Sequence, residues 1–201
     1  MRKATWSDRK KVIGILTETF SDNPGSLWLL RKGINQKRGV ERLCRYVFIK
    51  SFVRDGAWIS DNEKGVALCY IFNRKVISIR EYFSMLWFAA SSVSFSRYPE
   101  VRYRESYRKS QRPQDGNYLY FWFFGVAKGG GRAAHELGIG MFEEADRLKL
   151  PIYLETALSR MKPVYERYGF KTYHFWEEKQ NDIRFWFLKR EASGNTYKRK
   201  L

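Results

Sequence analysis

The residues whose types and spacing could do chemistry are concentrated between Tyr118 and Phe170. An apolar run, YLYFWFFGV (Tyr118–Val126), leads into the stretch AKGGGRAAHEL and then into a helical pattern. Glycines let the backbone turn its N–H groups inward and approach an anion closely. A helix that starts at the same point adds free N–H groups and the positive end of its dipole. Lys128 and Arg132 add fixed charge to Gly129, Gly130 and Gly131, so the segment reads as a pyrophosphate cradle, although three glycines after a strand also make an ordinary tight turn. The P-loop is excluded, because it needs a Lys-Ser/Thr pair after its last glycine where Arg132 and Ala133 stand. The dinucleotide fingerprint finds Ala134 at its third glycine and only Glu155 as a candidate acid, which disfavours it.

Two side chains beyond the loop are candidates for proton transfer. Glu155 ends the apolar run Pro151–Glu155, where it either faces a cleft or caps the next helix. Tyr165 lies in a short helical segment, Lys162–Tyr168. A phenol of ordinary pKa about 10 is un-ionised at neutral pH and can protonate a departing anion. Tyr165 also reads as a simple packing tyrosine. His135 falls in the first turn after the glycine loop, as a phosphate contact or a surface or cap residue, and His174 alternates with aromatics on a strand. With Cys44 and Cys69 well separated, these give no metal-ligand spacing, and no metal is expected.

The elements that must position these groups follow from periodicity and turn chemistry. Arg2–Ala4 reads as an edge strand, Ser7 as an N-cap, and Val12, Ile13, Leu16 and Phe20 as the apolar face of a first helix. Asp22-Asn23-Pro24-Gly25 is a turn, and Arg38–Arg54 an amphipathic helix. Ala57–Ser60 and Val66–Phe72 form a hairpin around Asp61–Gly65. Ile77–Phe95 predicts a long apolar helix packed on the sheet. Arg97–Arg112, with six Lys/Arg against two Glu, predicts a basic, mostly solvated face with Pro99 opening a short helix. After a break at 111–116, Tyr118–Val126 is apolar on both faces and predicts a central strand. A helix to about Leu148, the strand Pro151–Glu155, and strands Phe170–Trp176 and Ile183–Leu188 complete one domain over 1–190; a polar tail occupies 191–201. Hairpins alternating with helical crossovers imply an α/β fold with a central twisted mixed sheet and helices on both faces.

The run PIYLET-ALSRMKP-VYERYGF resembles the second half of the GNAT acetyltransferases, in which a strand ending Leu-Glu-Thr leads to a tyrosine-bearing helix and the phrase Tyr-Glu-Arg-aromatic-Gly-Phe. Tyr165, Glu166, Arg167, Tyr168, Gly169 and Phe170 fit that phrase residue for residue. The opening RKAT-W-SD and the hairpin ending GVALCYI fit as well, so the resemblance spans essentially the whole chain, nearest to the branch that includes puromycin-type antibiotic acetyltransferases. It implies a GNAT-like acyl-CoA N-acyltransferase fold, acetyl-CoA as co-substrate, and transfer to a primary amine by direct attack in a ternary complex. Backbone groups near Phe124, Gly125 and Val126 would meet the pantetheine arm, Lys128 to Ala134 would hold the pyrophosphate, and Tyr165 would be the acid. Glu155 or a chain of water would take the amine proton. The family's loop reads Gln/Arg-x-x-Gly-x-Gly/Ala. Here Lys128 stands first in the best frame, which ends at Ala133; a second frame ends at Ala134, and a third uses Gly138 and Gly140. Met161 stands where the family often has asparagine.

Composition bounds the rest. A chain of 201 residues with 44% apolar and 17% aromatic content can build one packed domain. Its opening lacks a secretory pattern, and its most apolar run, about twelve residues from Ser84 to Phe95, is shorter than the roughly 20 a membrane-spanning helix requires. A cytoplasmic protein without membrane association, monomeric or homodimeric, is the expectation. Thirty-eight Lys/Arg against 21 Asp/Glu give a net charge of +17, which favours polyanionic partners. The expected partners are acetyl-CoA and a small-molecule or peptide amine. The alternative is a catalytically weak module of the same fold that binds nucleic acid or the ribosome through its basic surface.

Overall fold

A computed structural model describes residues 1–178 and 183–193. The tail residues 194–201, with the basic trio Lys198, Arg199 and Lys200, lie outside the described residues. Seven strands form one sheet: β1 (Arg2–Lys3), β2 (Ala57–Ile59), β3 (Gly65–Ile71), β4 (Leu119–Val126), β5 (Ile152–Thr156), β6 (Lys171–Glu178) and β7 (Ile183–Arg190). Their order is β1-β2-β3-β4-β5-β7-β6, and the β4–β5 neighbours alone are parallel. The mixed sheet is the one expected, with β4 at its centre.

Among the described residues seven α-helices flank the sheet: α1 (Arg9–Thr19), α2 (Pro24–Leu29), α3 (Gln36–Phe52), α4 (Ile79–Ser92), α5 (Tyr98–Ser110), α6 (Ala133–Leu148) and α7 (Lys162–Arg167). α1 and α3 bury Val12, Leu16, Val47 and Phe48 against Ile59 and Leu68 on one face. α6 buries Leu137, Met141 and Ala145 against Leu119, Ile152 and Leu154 on the other. Both cysteines are buried and reduced, and burial pushes the Cys44 thiol up to about 12.

Several expectations are corrected. Ser7 does not cap a helix; it lies in a 3-10 turn, Trp6–Asp8, and Asp8 precedes α1. The Asp8 carboxylate is tied to Arg2 at 2.7 Å and accepts the Thr5 N–H at 2.7 Å, bracing the 3-10 turn that leads into α1. The turn at 22–25 opens α2, with Asn23 accepting the Ser26 N–H at 3.1 Å and Pro24 in the first turn. The apolar helix expected on the sheet is α4, and it packs instead on α3. Phe88 stacks on Tyr46 with ring centroids 6.1 Å apart, and Arg42 donates to the Ser91 carbonyl at 2.9 Å. Both sheet faces are already covered by α1, α3 and α6, so α4 forms an outer layer.

The basic stretch is also different from its expectation. α5 begins with Pro99 in its first turn, but Arg104, Arg108 and Arg112, spaced i, i+4, i+8, form an inward stripe rather than a solvated face. Arg104 pairs with Glu178 and lies 3.4 Å from the Trp28 ring centroid. A buried cation needs such partners, because desolvation otherwise outweighs packing.

Candidate active site

The β4–β5 ladder holds only at Leu119↔Ile152 and Tyr120↔Tyr153. Beyond it the two parallel strands run on unpaired, Phe121–Val126 on one side and Leu154–Thr156 on the other. The ladder ends where β4 carries one extra residue, Trp122, between the pairs Leu68↔Phe123 and Cys69↔Phe121. Such a bulge bends a strand and increases its twist. Because antiparallel ladders alternate, the Ala127 N–H that reaches the Lys64 carbonyl at 2.8 Å leaves the amides of Val126 and Phe124 turned away from β3 and toward the opening. Gly125 belongs to the other set: its amide turns to β3, and a Cβ there would lie 2.8 Å from Thr19 Oγ1 and 3.2 Å from Leu16. The absence of a Cβ there lets α1 approach β4.

The glycine loop sits directly at the end of β4. Gly129 and Gly131 have φ of +73° and +53°, in the left-handed region that favours glycine. A Cβ at Gly130 would lie 2.3 Å from Val126 Cγ1. The loop is braced from the β2–β3 turn, where Asn62 donates to the Gly130 carbonyl at 3.0 Å. Lys128, Gly131, Arg132, Ala134 and His135 are exposed, and an added Cβ at Gly131 would meet nothing within 4 Å. The first turn of α6 offers N–H groups that a helix cannot satisfy internally, those of Ala134 and His135 among them. Ala133 does not join them. Its N–H donates to the Gly130 carbonyl at 3.1 Å, and it is buried where a Cβ on Gly65 would touch it. The loop therefore fits a diphosphate: an open outer side, two positive-φ glycines, two exposed cations and a helix start.

Tyr165 and Glu155 lie on opposite faces of the sheet. Tyr165 packs on the α6 face, edge-on to Phe170 with centroids 5.6 Å apart, against the same buried cluster as Phe121 and Phe124. Burial pushes its phenol up to about 12, so it stays protonated at neutral pH. Its neighbour Tyr168 holds His135 Nδ1 at 3.5 Å.

Glu155 has a setting that sequence did not foretell. Its side chain is 2% exposed. Oε2 accepts from Arg108 and from the Tyr120 hydroxyl, each at 2.8 Å, and Oε1 lies 3.1 Å from Arg112 Nε. Burial by itself would raise its pKa, but the charges of Arg108 and Arg112, with the hydrogen bonds, hold it below the ordinary glutamate value. A carboxylate so occupied anchors α5 to β5 and is poorly suited to accept a proton. Arg108, Arg112 and Tyr120 were missed by sequence reasoning. The i, i+4, i+8 arginine spacing was the available signal, and the partner across 43 residues from Arg112 was not visible in it. His174 lies two strands further out, on β6, across from Glu155 through Phe187 of β7, and its Nε2 is 2.9 Å from the Tyr107 hydroxyl.

A seven-stranded mixed sheet that opens between two parallel strands, with a glycine loop and helix start at the opening, is the fold of the GNAT acetyltransferases. Solved structures agree. The chain superposes on a histone acetyltransferase HPA2-related acetyltransferase of Corynebacterium glutamicum with a TM-score of 0.67 at 16% identity, covering 97% of each chain. It superposes on arylalkylamine N-acetyltransferase 2 of Aedes aegypti with a TM-score of 0.60 at 15% identity, covering 96% of this chain and 98% of that one. The C-terminal condensation domain of Ebony, solved with beta-alanyl-dopamine, gives 0.63 at 14% identity over 94% and 96%. No protein-family model matches the sequence, and no curated protein matches it.

Proposed function

We propose that this chain is an acetyl-CoA-dependent N-acetyltransferase that acts on a primary amine by direct attack in a ternary complex. One observation carries the reading: the main-chain amides of Phe124 and Val126 are aimed into an unpaired gap that ends at a glycine-lined helix start. Acetyl-CoA would supply the acetyl thioester. Phe124 and Val126 would hydrogen-bond its extended arm as a neighbouring strand would. Lys128, Gly129, Gly131, Arg132 and the Ala134 amide would hold its diphosphate. The Val126 N–H is the donor nearest to hand for negative charge developing on the acyl oxygen. Tyr165 would return a proton to the leaving thiolate. Holding both reactants in line supplies on the order of 7–11 kcal/mol in well-oriented systems. We assign Glu155 to fixing α5 rather than to taking the amine proton, which leaves through water.

Arg104, Arg108 and Arg112 turn three of the six cations of this stretch inward, while Arg102 and Lys109 stay exposed, so less of its charge faces solvent than the binding module would use. The puromycin-type branch stays in the proposal as an acceptor class to be tried. Two measurements test the reading. Acetyl-CoA at 100 times its dissociation constant should add roughly 2.7 kcal/mol of stability. Thiol release from acetyl-CoA should then appear with at least one member of a panel of polyamines, aminoglycosides, nucleoside amines and peptides. A chain that acetyl-CoA does not stabilise refutes the proposal.

A further inference from the structure

α4 carries its largest apolar side chains on the wrong side for a core. Ile79, Tyr82, Phe83, Leu86 and Trp87 are 74%, 56%, 63%, 42% and 58% exposed. At 3.6 residues per turn these positions fall within one arc of about 140°. The opposite side holds Phe88 and Ser92, both buried on α3. Ile77 before the helix lines the same surface depression as Ile79, Tyr82 and Phe83 and extends the strip, 103% exposed. A contiguous apolar surface of this kind marks an interaction site.

The charge around it selects the occupant. The exposed Lys75 precedes α4 beside Arg74, which is 3.9 Å from Asp55; Arg97, which donates to the Trp28 carbonyl, follows it; and the Arg42 guanidinium lies 5.8 Å from the Trp87 ring centroid at its margin. The acidic Glu81 on α4 is neutralised by Arg54 at 2.6 Å. A second copy of a chain with net charge +17 would bring this cationic rim against itself. An anionic lipid surface answers both features, with phosphates for the rim and an acyl boundary for the aromatic arc. The 14 residues of α4 are about 21 Å long, and among the described residues no helix is long and apolar enough to cross a membrane, so α4 would lie in the surface plane.

We propose that α4 docks this protein on anionic membranes through the Ile79–Trp87 arc. The inference does not rest on acetyl transfer and is tested without acetyl-CoA. The full chain is floated with vesicles of phosphatidylcholine alone, and with vesicles holding about 30 mol% phosphatidylglycerol, at about 50 mM and about 300 mM NaCl. Binding should be at least about tenfold stronger to the anionic vesicles and weaken with salt. The double variant Phe83→Ser/Trp87→Ser, and separately Arg74→Glu/Lys75→Glu, should each lower it at least about tenfold with unchanged circular dichroism. Equal binding to both vesicle types, or binding that Phe83→Ser/Trp87→Ser leaves intact, overturns the proposal. So does a dimer in sedimentation that Phe83→Ser/Trp87→Ser dissociates while neither form binds vesicles, which would assign the face to a second copy.

Discussion

Replacing Glu155 by glutamine separates an anchoring carboxylate from a catalytic one. The side chain is 2% exposed, and its partners Arg108 and Arg112 are 18% and 1% exposed. The variant keeps the shape and removes the one negative charge between two buried guanidinium groups. Breaking a buried pair by removing one partner costs about 3–5 kcal/mol, because the remaining charge is left uncompensated. At about 2–4 °C per kcal/mol for a chain of this size, the melting temperature should fall by about 6–20 °C. Urea unfolding at neutral pH should show a lower midpoint with an unchanged slope. The pH dependence has a definite sign. The folded carboxyl is held below its ordinary value of 4.5, so its contribution is complete above that pH and is lost as pH falls toward the folded value. The gap between parent and Glu155→Gln should therefore close below pH 4.5. A variant that melts within about 2 °C of the parent yet loses turnover about 100-fold or more would refute the anchoring role and return Glu155 to the position of base.

Further expectations bear on the loop and the acid. Tyr165→Phe should lower kcat by about 100-fold or more, the usual worth of a general acid, while the dissociation constant for CoA changes little; unchanged turnover removes Tyr165 from the acid role. Gly130→Ala places a Cβ 2.3 Å from Val126 Cγ1 and 2.9 Å from the Ala127 carbonyl, and should cost about 1–3 kcal/mol and weaken acetyl-CoA binding. Gly14→Ala, in α1 with nothing within 4 Å of the new Cβ, should instead stabilise by about 0.5–1 kcal/mol and leave binding unaffected; equal effects from the two would show that the loop's close packing is immaterial.

What the sequence determined by itself was everything carried by local pattern. The nine-residue apolar run at 118–126 announced a strand buried on both faces, the Asp61–Gly65 turn announced its hairpin, and the three glycines announced a tight turn before a helix start. These signals are short in range, because period, turn chemistry and backbone permissiveness act within a few residues. The register did not announce itself. That Val126 and Phe124 turn their amides to the gap while Gly125 does not depends on the Trp122 bulge and on pairing with β3, more than 50 residues away in the chain. Nor did burial: six cations within sixteen residues suggest a solvated face, and only the approach of β5 and β6, bringing Glu155 and Glu178, made a stripe of three arginines interior. The same holds for α4, whose apolar residues promised a core element. Whether a helix reaches the sheet is decided by which helices already cover it, and here α1, α3 and α6 had left α4 only the back of α3 and the solvent.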